Sequence, residues 1–116
     1  MIQIQESHMD AFTRQARGNF AQRMKEHILK YFPEQAAGLG ADGVGRVIEL
    51  GMQHAKDRGI TAEGDVSRYI DVMVVLGENY DHEPWAKDIF DRQLGGSTRM
   101  NMVFAEARKK AGERTI

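Results

Sequence analysis

The sequence contains no cysteine and only two prolines among 116 residues. Without cysteine there is no disulfide framework, no thiol nucleophile and no thiolate zinc site. No apolar run approaches the roughly 18 to 20 residues that cross a bilayer, and the amino terminus lacks the basic and then apolar order of a signal peptide. We therefore expect a cytoplasmic protein that has no membrane partner and derives its stability from packing.

An excess of charge of one sign is also missing. The sequence has sixteen basic and seventeen acidic residues, which gives a formal net charge of −1. Such a balance gives no overall field that would attract nucleic acid. The basic run of Arg108, Lys109, Lys110 and Arg114 lies near a helix C-terminus, where cations face exposed carbonyl groups. We therefore expect no nucleic-acid partner.

Apolar residues recur at helical spacing along the whole chain, and no run shows the alternation of a strand. A chain of this length with 41% apolar residues forms one domain around one core. The sequence therefore predicts an all-α fold, a compact bundle of about five helices in a single domain. Its core covers about 7–94, and the C-terminal helix, about 98–111, follows a Gly-Gly junction. The other predicted elements are a helix over about 7–32, a short turn over 33–39, and helices over about 42–58, 62–76 and 84–94.

The helix over 62–76 has the clearest boundaries. Thr61 is suited to be its N-cap, and Gly77 is suited to end it in a left-handed conformation, as Gly59 ends the preceding helix. The preceding helix carries Gly51 on its apolar face, which indicates close approach of another helix. We expect the helix over 62–76 to pack against the apolar face between Val44 and Ala55.

Two valines do not fit the amphipathic pattern of that helix. Val72 and Val75 fall on the polar side, beside Arg68 and Asp71. Two explanations remain open: the helix is central and covered on both sides, or the valines form an exposed apolar patch that binds another protein.

The loop after this helix, ENYDHEPW, combines aromatic and acidic side chains. Tyr80 and Trp85 are either a plug at the end of the bundle or anchors for a partner. The acidic and imidazole groups are donors that divalent metals accept, but they lack the spacing of a metal loop. We expect the carboxylates to cap the helix that begins at Pro84 instead, and we expect no metal. This group consists of Glu78, Asp81, His82 and Glu83.

Two further patterns have structural explanations. Gly38, Gly40 and Gly43 match the spacing of a dinucleotide-binding loop, but that loop follows a strand and the sequence predicts a helical turn there. We expect a helix-to-helix loop and no cofactor. The four histidines are scattered and are expected on the surface or at its boundary rather than as ligands. They are His8, His27, His54 and His82.

Three stretches together resemble a family. They are FAQRM at 20–24, YFPE at 31–34, and the segment from GITAEGDVSRYIDVMVVLG to ENYDHEPW at 59–85. This pattern, over about 12–94, resembles small all-helical accessory proteins encoded among the effector and adaptor genes of bacterial type VI secretion systems. The resemblance implies an adaptor or co-chaperone that holds an effector for loading, and it supplies no catalytic residues.

The sequence therefore predicts a non-enzymatic protein-binding accessory with no catalytic, cofactor or metal residues. An apolar patch with a polar rim would dock the partner protein. An immunity protein that blocks a toxin is the alternative, since an acidic patch suits a basic toxin cleft, and a small metal-dependent enzyme is the third. The predicted contact residues are Arg68, Asp71, Val72, Val75, Tyr80, Asp81, His82 and Trp85.

Overall fold

The computed structural model describes residues 14–112 and shows five α-helices and no strand within that range. The predicted all-α bundle is thereby confirmed. The predicted helical residues 7–13, and with them His8, lie outside the described residues, as does Arg114. The elements are α1 (Arg14–Tyr31), α2 (Pro33–Asp57), α3 (Glu63–Leu76), a 3₁₀ turn (Tyr80–His82), α4 (Pro84–Phe90) and α5 (Gly96–Ala111).

Helix α2 contains a break that the sequence predicted as a loop. Pro33 occupies its first turn, where a missing N–H costs nothing. Gly40 has φ 76° and ψ 167°, outside helical values, so the helix consists of two segments that meet at a kink. A side chain at Gly40 would be strained at this positive φ, which explains why glycine stands there.

Helix α3 lies at the centre of the bundle. It packs against α2 and α5, and α1 reaches it through side chains such as His27, which contacts Asp71. The predicted packing of α3 on the Val44 to Ala55 face of α2 is confirmed.

The two valines are both buried. Val72 is 0% exposed and Val75 is 8% exposed. The expectation of an exposed apolar patch on α3 is therefore wrong, and the explanation of a helix covered on both sides is correct. The reason is topological, because a helix with neighbours on both sides has no polar face to offer solvent.

The helix ends match the sequence in part. Gly59 and Gly77 have φ 76° and 113° and end α2 and α3, as predicted. The N-cap of α3 is Ala62 rather than Thr61, and no side chain caps it. Helix α4 ends at Phe90 instead of near residue 94.

The beginning of α5 also differs from the prediction. Its N-cap is Gly95, so neither Ser97 nor Thr98 caps the helix. The hydroxyl of Ser97 instead donates a hydrogen bond to the buried carboxylate of Asp65 in α3. Ser97 thus bonds to a residue of another helix instead of to the backbone of its own helix, and this bond joins α5 to α3.

None of the helices within residues 14–112 combines the length and apolar character that spanning a membrane requires.

We predict that Gly51→Ala lowers the free energy of unfolding by about 1–3 kcal/mol, because overpacking strains a filled core. A Cβ at Gly51 would lie 2.4 Å from Cγ1 of Ile70 and 3.0 Å from Sδ of Met73. Urea denaturation followed by circular dichroism measures the change. Gly45→Ala in the same helix is the matched control, since its Cβ would meet nothing within 4 Å. This substitution should raise the free energy of unfolding by about 0.5–1 kcal/mol. Equal stability of the two variants would contradict the α2–α3 packing.

We also predict that Val72→Asp unfolds the domain. The side chain is fully buried, and an unpaired carboxylate there costs a large part of the roughly 5–15 kcal/mol that stabilises a typical domain. Thermal unfolding measured by circular dichroism tests this. Leu29→Asp introduces the same charge at a side chain that is 54% exposed, and should cost about 1 kcal/mol or less. A cooperatively folded Val72→Asp protein would show that this side of α3 is open.

Candidate functional site

A buried carboxylate organises the polar groups at the junction of α2, α3 and the 3₁₀ turn. Asp81 is 1% exposed, and its Oδ2 accepts a hydrogen bond of 2.5 Å from the Tyr69 hydroxyl. Nε of Arg58 donates to the Tyr69 oxygen at 3.2 Å and lies 3.6 Å from Oδ2. Nδ1 of His54 lies 3.3 Å from the same oxygen. We call these four residues the Asp81 cluster.

Local structure brings the cluster together. His54 and Arg58 are four residues apart at the end of α2, so both side chains lie on one face. The positive φ of Gly77 ends α3 before the 3₁₀ turn that inserts Asp81.

Arg99 of α5 holds the end of α2 in place. Its guanidinium donates to the backbone oxygens of Arg58 at 2.7 Å and Phe90 at 2.8 Å, and thereby connects α2 with α4. The guanidinium of Arg58 lies 4.8 Å from the centre of the Phe90 ring. Arg58 is consequently held both by its backbone and by its side chain.

The two buried phenols have raised pKa values. Burial raises the pKa of Tyr69 well above its usual range, and the hydrogen bond to Asp81 adds to this while Arg58 opposes it. Burial also raises the pKa of Tyr80, with further contributions from the neighbouring Tyr69 and Asp81. Tyr69 therefore stays protonated and acts as a hydrogen-bond donor to the carboxylate.

An open depression lies over the cluster. One half, of about 230 Å³, is lined by His54, Asp57, Arg58, Asp81 and His82. The adjoining half, of about 210 Å³, is lined by Arg58, Asp81, His82 and Lys87. Because three residues line both halves, we call the whole the Arg58 pocket and its parts the His54 half and the Lys87 half.

Two further buried carboxylates of α3 connect it to its neighbours. Both oxygens of Asp71 lie near Nε2 of His27 on α1, at 3.0 and 3.2 Å. Burial raises the pKa of Asp71, and His27 partly offsets this. Asp65 accepts hydrogen bonds from Arg68 and Ser97. These groups join α1, α3 and α5, so each has a structural role.

The structure exposes only some of the predicted contact residues. Arg68 keeps 34% of its side chain exposed beside the Phe104 ring, His82 keeps 70%, and Trp85 is partly exposed. The remaining five are buried, so the predicted surface is wrong for them, because α3 and the 3₁₀ turn direct these side chains inward. These five are Asp71, Val72, Val75, Tyr80 and Asp81.

The acidic loop does not cap α4, contrary to the prediction. Glu83 is the N-cap residue but makes no side-chain cap, and its carboxylate accepts a hydrogen bond of 3.0 Å from Nε1 of Trp85. Glu78 pairs with Arg46 of α2 at 2.7 Å, while Asp81 enters the core. Each of these three carboxylates therefore pairs with a side chain rather than with the N-terminus of α4.

Three cluster residues were not predicted as site residues. The sequence placed His54 among scattered histidines, and it gave Tyr69 and Arg58 no contact or catalytic role. The i, i+4 spacing of His54 and Arg58 at a helix end was the available signal. It did not identify a carboxylate partner, because Asp81 lies more than twenty residues further along the chain.

Within residues 14–112, no three or more His, Asp or Glu side chains are arranged to hold a metal ion. Gly38, Gly40 and Gly43 lie within α2 around its kink and follow a helical turn. That geometry lacks the strand from which a dinucleotide-binding loop emerges.

Trp85 is held on three sides although it is partly exposed. Its ring stacks on Tyr80 with centroids 6.2 Å apart, and its indole N–H donates to Glu83. Nζ of Lys110 in α5 lies 5.2 Å from the ring centre. Tyr80 thus acts as the predicted core plug, and Trp85 sits on it at the surface. We call Trp85, His82, Glu83 and Lys110 the Trp85 surface.

No protein-family model, curated protein or solved structure matches the chain. The resemblance to type VI secretion accessory proteins stays a prediction.

We predict that Tyr69→Phe lowers the free energy of unfolding by about 1–3 kcal/mol, because Asp81 loses its closest donor while it remains buried. Urea denaturation at neutral pH measures the loss. Tyr31→Phe removes the same hydroxyl from a residue that is 58% exposed and should change stability by about 0.5 kcal/mol or less. A similar effect of both substitutions would contradict the assigned role of Tyr69.

The raised pKa of Tyr69 also predicts alkaline behaviour. A phenol whose pKa is higher in the folded state stabilises the fold below its usual value of 10.0, and this contribution is lost as the pH rises above that value. The unfolding free energy should fall above this pH, by about 1.4 kcal/mol per pH unit for each such group. Tyr69→Phe should reduce the slope, and equal slopes would show that Tyr69 titrates normally.

Proposed function

We propose that this chain is a non-enzymatic protein-binding accessory and that the Trp85 surface is its contact site. The observation that carries the proposal is an indole that is partly exposed yet held by Tyr80, Glu83 and Lys110. Tryptophan is enriched among residues that dominate binding energy. A side chain already fixed in place loses little conformational entropy on binding, so such an anchor favours association.

The surroundings of Trp85 suit an interface. His82 is 70% exposed, and Glu83 and Lys110 supply one charge of each sign around the ring. An apolar centre with a polar rim is the usual anatomy of a protein contact. The surface differs from the one predicted from sequence, because it centres on the loop and α4 rather than on Val72 and Val75.

The buried polar groups support binding over catalysis. Asp65, Asp71 and Asp81 each contact side chains from another helix, and each contact joins two elements of the bundle. Tyr69 stays protonated and donates to Asp81, so it supplies no base. Their shared role is to hold α3 in place and thereby to fix the position of Trp85.

The proposed partner is a type VI secretion effector or its adaptor, which the chain helps to load in the cytoplasm. This part of the proposal rests on the resemblance of 12–94 to accessory proteins of those systems. The residues of that pattern build the α1–α2 junction, α3 and the loop that ends at Trp85. The pattern therefore includes Trp85, His82 and Glu83 of the proposed contact site, whereas Lys110 lies outside it in α5.

The immunity alternative finds less support. It needs an acidic patch, but Asp81 is buried and Glu78 pairs with Arg46. Glu83 remains, and its carboxylate is engaged by the indole of Trp85. A basic toxin cleft would therefore meet the single exposed carboxylate of Glu83 at this loop rather than an acidic patch.

We predict that Trp85→Ala weakens binding to the partner by about thirtyfold or more, which corresponds to the loss of about 2 kcal/mol at a dominant contact. The chain is co-expressed with each protein encoded beside its own gene, and affinity is measured on any pair that co-elutes. Leu94→Ala is the matched control, since it truncates a leucine that is 45% exposed outside the Trp85 surface, and it should bind normally. Circular dichroism verifies that both variants are folded. A folded Trp85→Ala protein with normal affinity would remove Trp85 from the interface.

Deletion of the gene distinguishes an adaptor from an immunity protein. Loss of export of a neighbouring effector, with normal growth, supports the adaptor. Growth arrest that depends on a neighbouring toxin gene would instead support the immunity protein. Normal export together with normal growth would contradict both.

A further inference from the structure

We propose that the Lys87 half of the Arg58 pocket binds a phosphate group that carries a proton, either inorganic phosphate or a phosphate monoester. This half shares His82 with the Trp85 surface, but Trp85 does not line it, and the inference does not depend on the function proposed above. Within the described part of the chain, Arg58 has N–H groups in this half without a hydrogen-bond partner, and Asp81 has one carboxylate oxygen without a partner.

Arg58 is the principal donor. Its Nε donates to Tyr69 and its guanidinium rests on Phe90, so the orientation of the planar group is set. Among residues 14–112, its two terminal nitrogens make no side-chain hydrogen bond. A fixed guanidinium that presents free N–H groups matches the oxygens of an oxyanion.

Two more donors line the same half. His82 is 70% exposed, so its imidazole is free to turn. Nζ of Lys87 lies 2.8 Å from Asp91, but both side chains are more than half exposed, and exposed pairs of the i, i+4 type are weak. Lys87 can therefore exchange Asp91 for a bound anion at small cost.

The acceptor is Oδ1 of Asp81. This oxygen is buried and has no hydrogen-bond partner, whereas Oδ2 accepts from Tyr69. The imidazole of His82 lies above it, with Nε2 at 3.6 Å. When the His82 imidazole turns away from Oδ1 toward the ligand, a ligand hydroxyl can donate to Oδ1 and relieve the cost of an unpaired buried acceptor.

Three donors and one acceptor select the ligand. An amide offers a single acceptor oxygen, and a carboxylate, a sulfate or a phosphate diester carries no proton near neutral pH. Inorganic phosphate and its monoesters have several acceptor oxygens, and the second pKa of a monoester, near 6, and the higher one of inorganic phosphate leave a proton on part of the population. They alone among these groups satisfy Arg58, Lys87 and Asp81 together.

Charge and size favour the Lys87 half over the His54 half. Asp57 adds a second carboxylate to the His54 half, which opposes an anion there. The Lys87 half has a volume of about 210 Å³, and a water molecule occupies roughly 30 Å³ of liquid, so a phosphate group fits.

The test is a titration of the isotope-labelled chain near neutral pH, followed by nuclear magnetic resonance at constant ionic strength to hold screening fixed. Phosphate should shift the Arg58 and His82 signals saturably and bind about tenfold more tightly than sulfate. Methyl phosphate should behave as phosphate does, and dimethyl phosphate as sulfate does. Tighter binding of methyl phosphate than of inorganic phosphate would assign the site to monoesters, weaker binding would assign it to the free ion, and equal binding would show that it accepts both. Equal binding of phosphate and sulfate, or no saturable shift with phosphate, would overturn the proposal.

Variants test the individual roles. Arg58→Lys should weaken phosphate binding about tenfold, because a single ammonium group cannot replace the several N–H donors of the planar guanidinium. Lys87→Met should weaken it severalfold, while Lys25→Met, which removes the same charge from α1 outside the pocket, should leave it unchanged. Asp81→Asn should reduce the preference for phosphate over sulfate to near one.

One outcome would contradict these roles, and one further variant separates this site from the partner contact. Unchanged affinity in Arg58→Lys and Lys87→Met would overturn the site even if Asp81→Asn fails to fold. Trp85→Ala should retain phosphate binding, which keeps this result separate from the partner-binding proposal.

Discussion

The burial of α3 on both sides determines what the other helices must provide. Nine of its residues are buried, and two of these are aspartates. A buried carboxylate without a partner would be too costly for so small a domain, so neighbouring elements contribute the missing donors. His27 comes from α1 and Ser97 from α5, while Gly51 lets α2 approach closely enough to cover the remaining side. The positions of the surrounding helices thus follow from packing against α3 together with the partners that its polar groups require.

The need to give buried polar groups a partner also fixes the 3₁₀ turn near the surface. Asp81 is drawn inward by Tyr69 and Arg58, and the preceding Tyr80 packs between Tyr69, Phe90 and Trp85. The turn is therefore anchored at two consecutive residues. Trp85 owes its fixed position to this anchoring, and so do the residues that line the Arg58 pocket. The proposed partner contact and the proposed phosphate site share His82 of this anchored turn, so one segment contributes to both.

Some of the site could be recognised in the sequence. Tyr80 and Trp85 stand out because large aromatics in an acidic loop have few local explanations, and both structural and contact roles were open to them. The structure gives one role to each: Tyr80 is the plug, while Trp85 remains partly exposed. His54, Arg58 and Tyr69 did not stand out, because each is an ordinary residue of an amphipathic helix until Asp81 is placed beside it. Likewise, Ser97 and Glu83 looked like helix caps, but Asp65 and Trp85 became their partners.

The sequence by itself determined the helical class and most helix boundaries, because spacing, prolines and glycines act within a few residues along the chain. Gly59, Gly77 and Pro33 set helix ends whatever the rest of the chain does. Only the tertiary structure decided whether Val72 faces solvent or core, and which group satisfies Asp81. Those outcomes depend on neighbours that are distant in sequence, so periodicity within one helix carries no information about them. A pattern can show that two sides of α3 are apolar, but the packing of the other helices decides that both are covered.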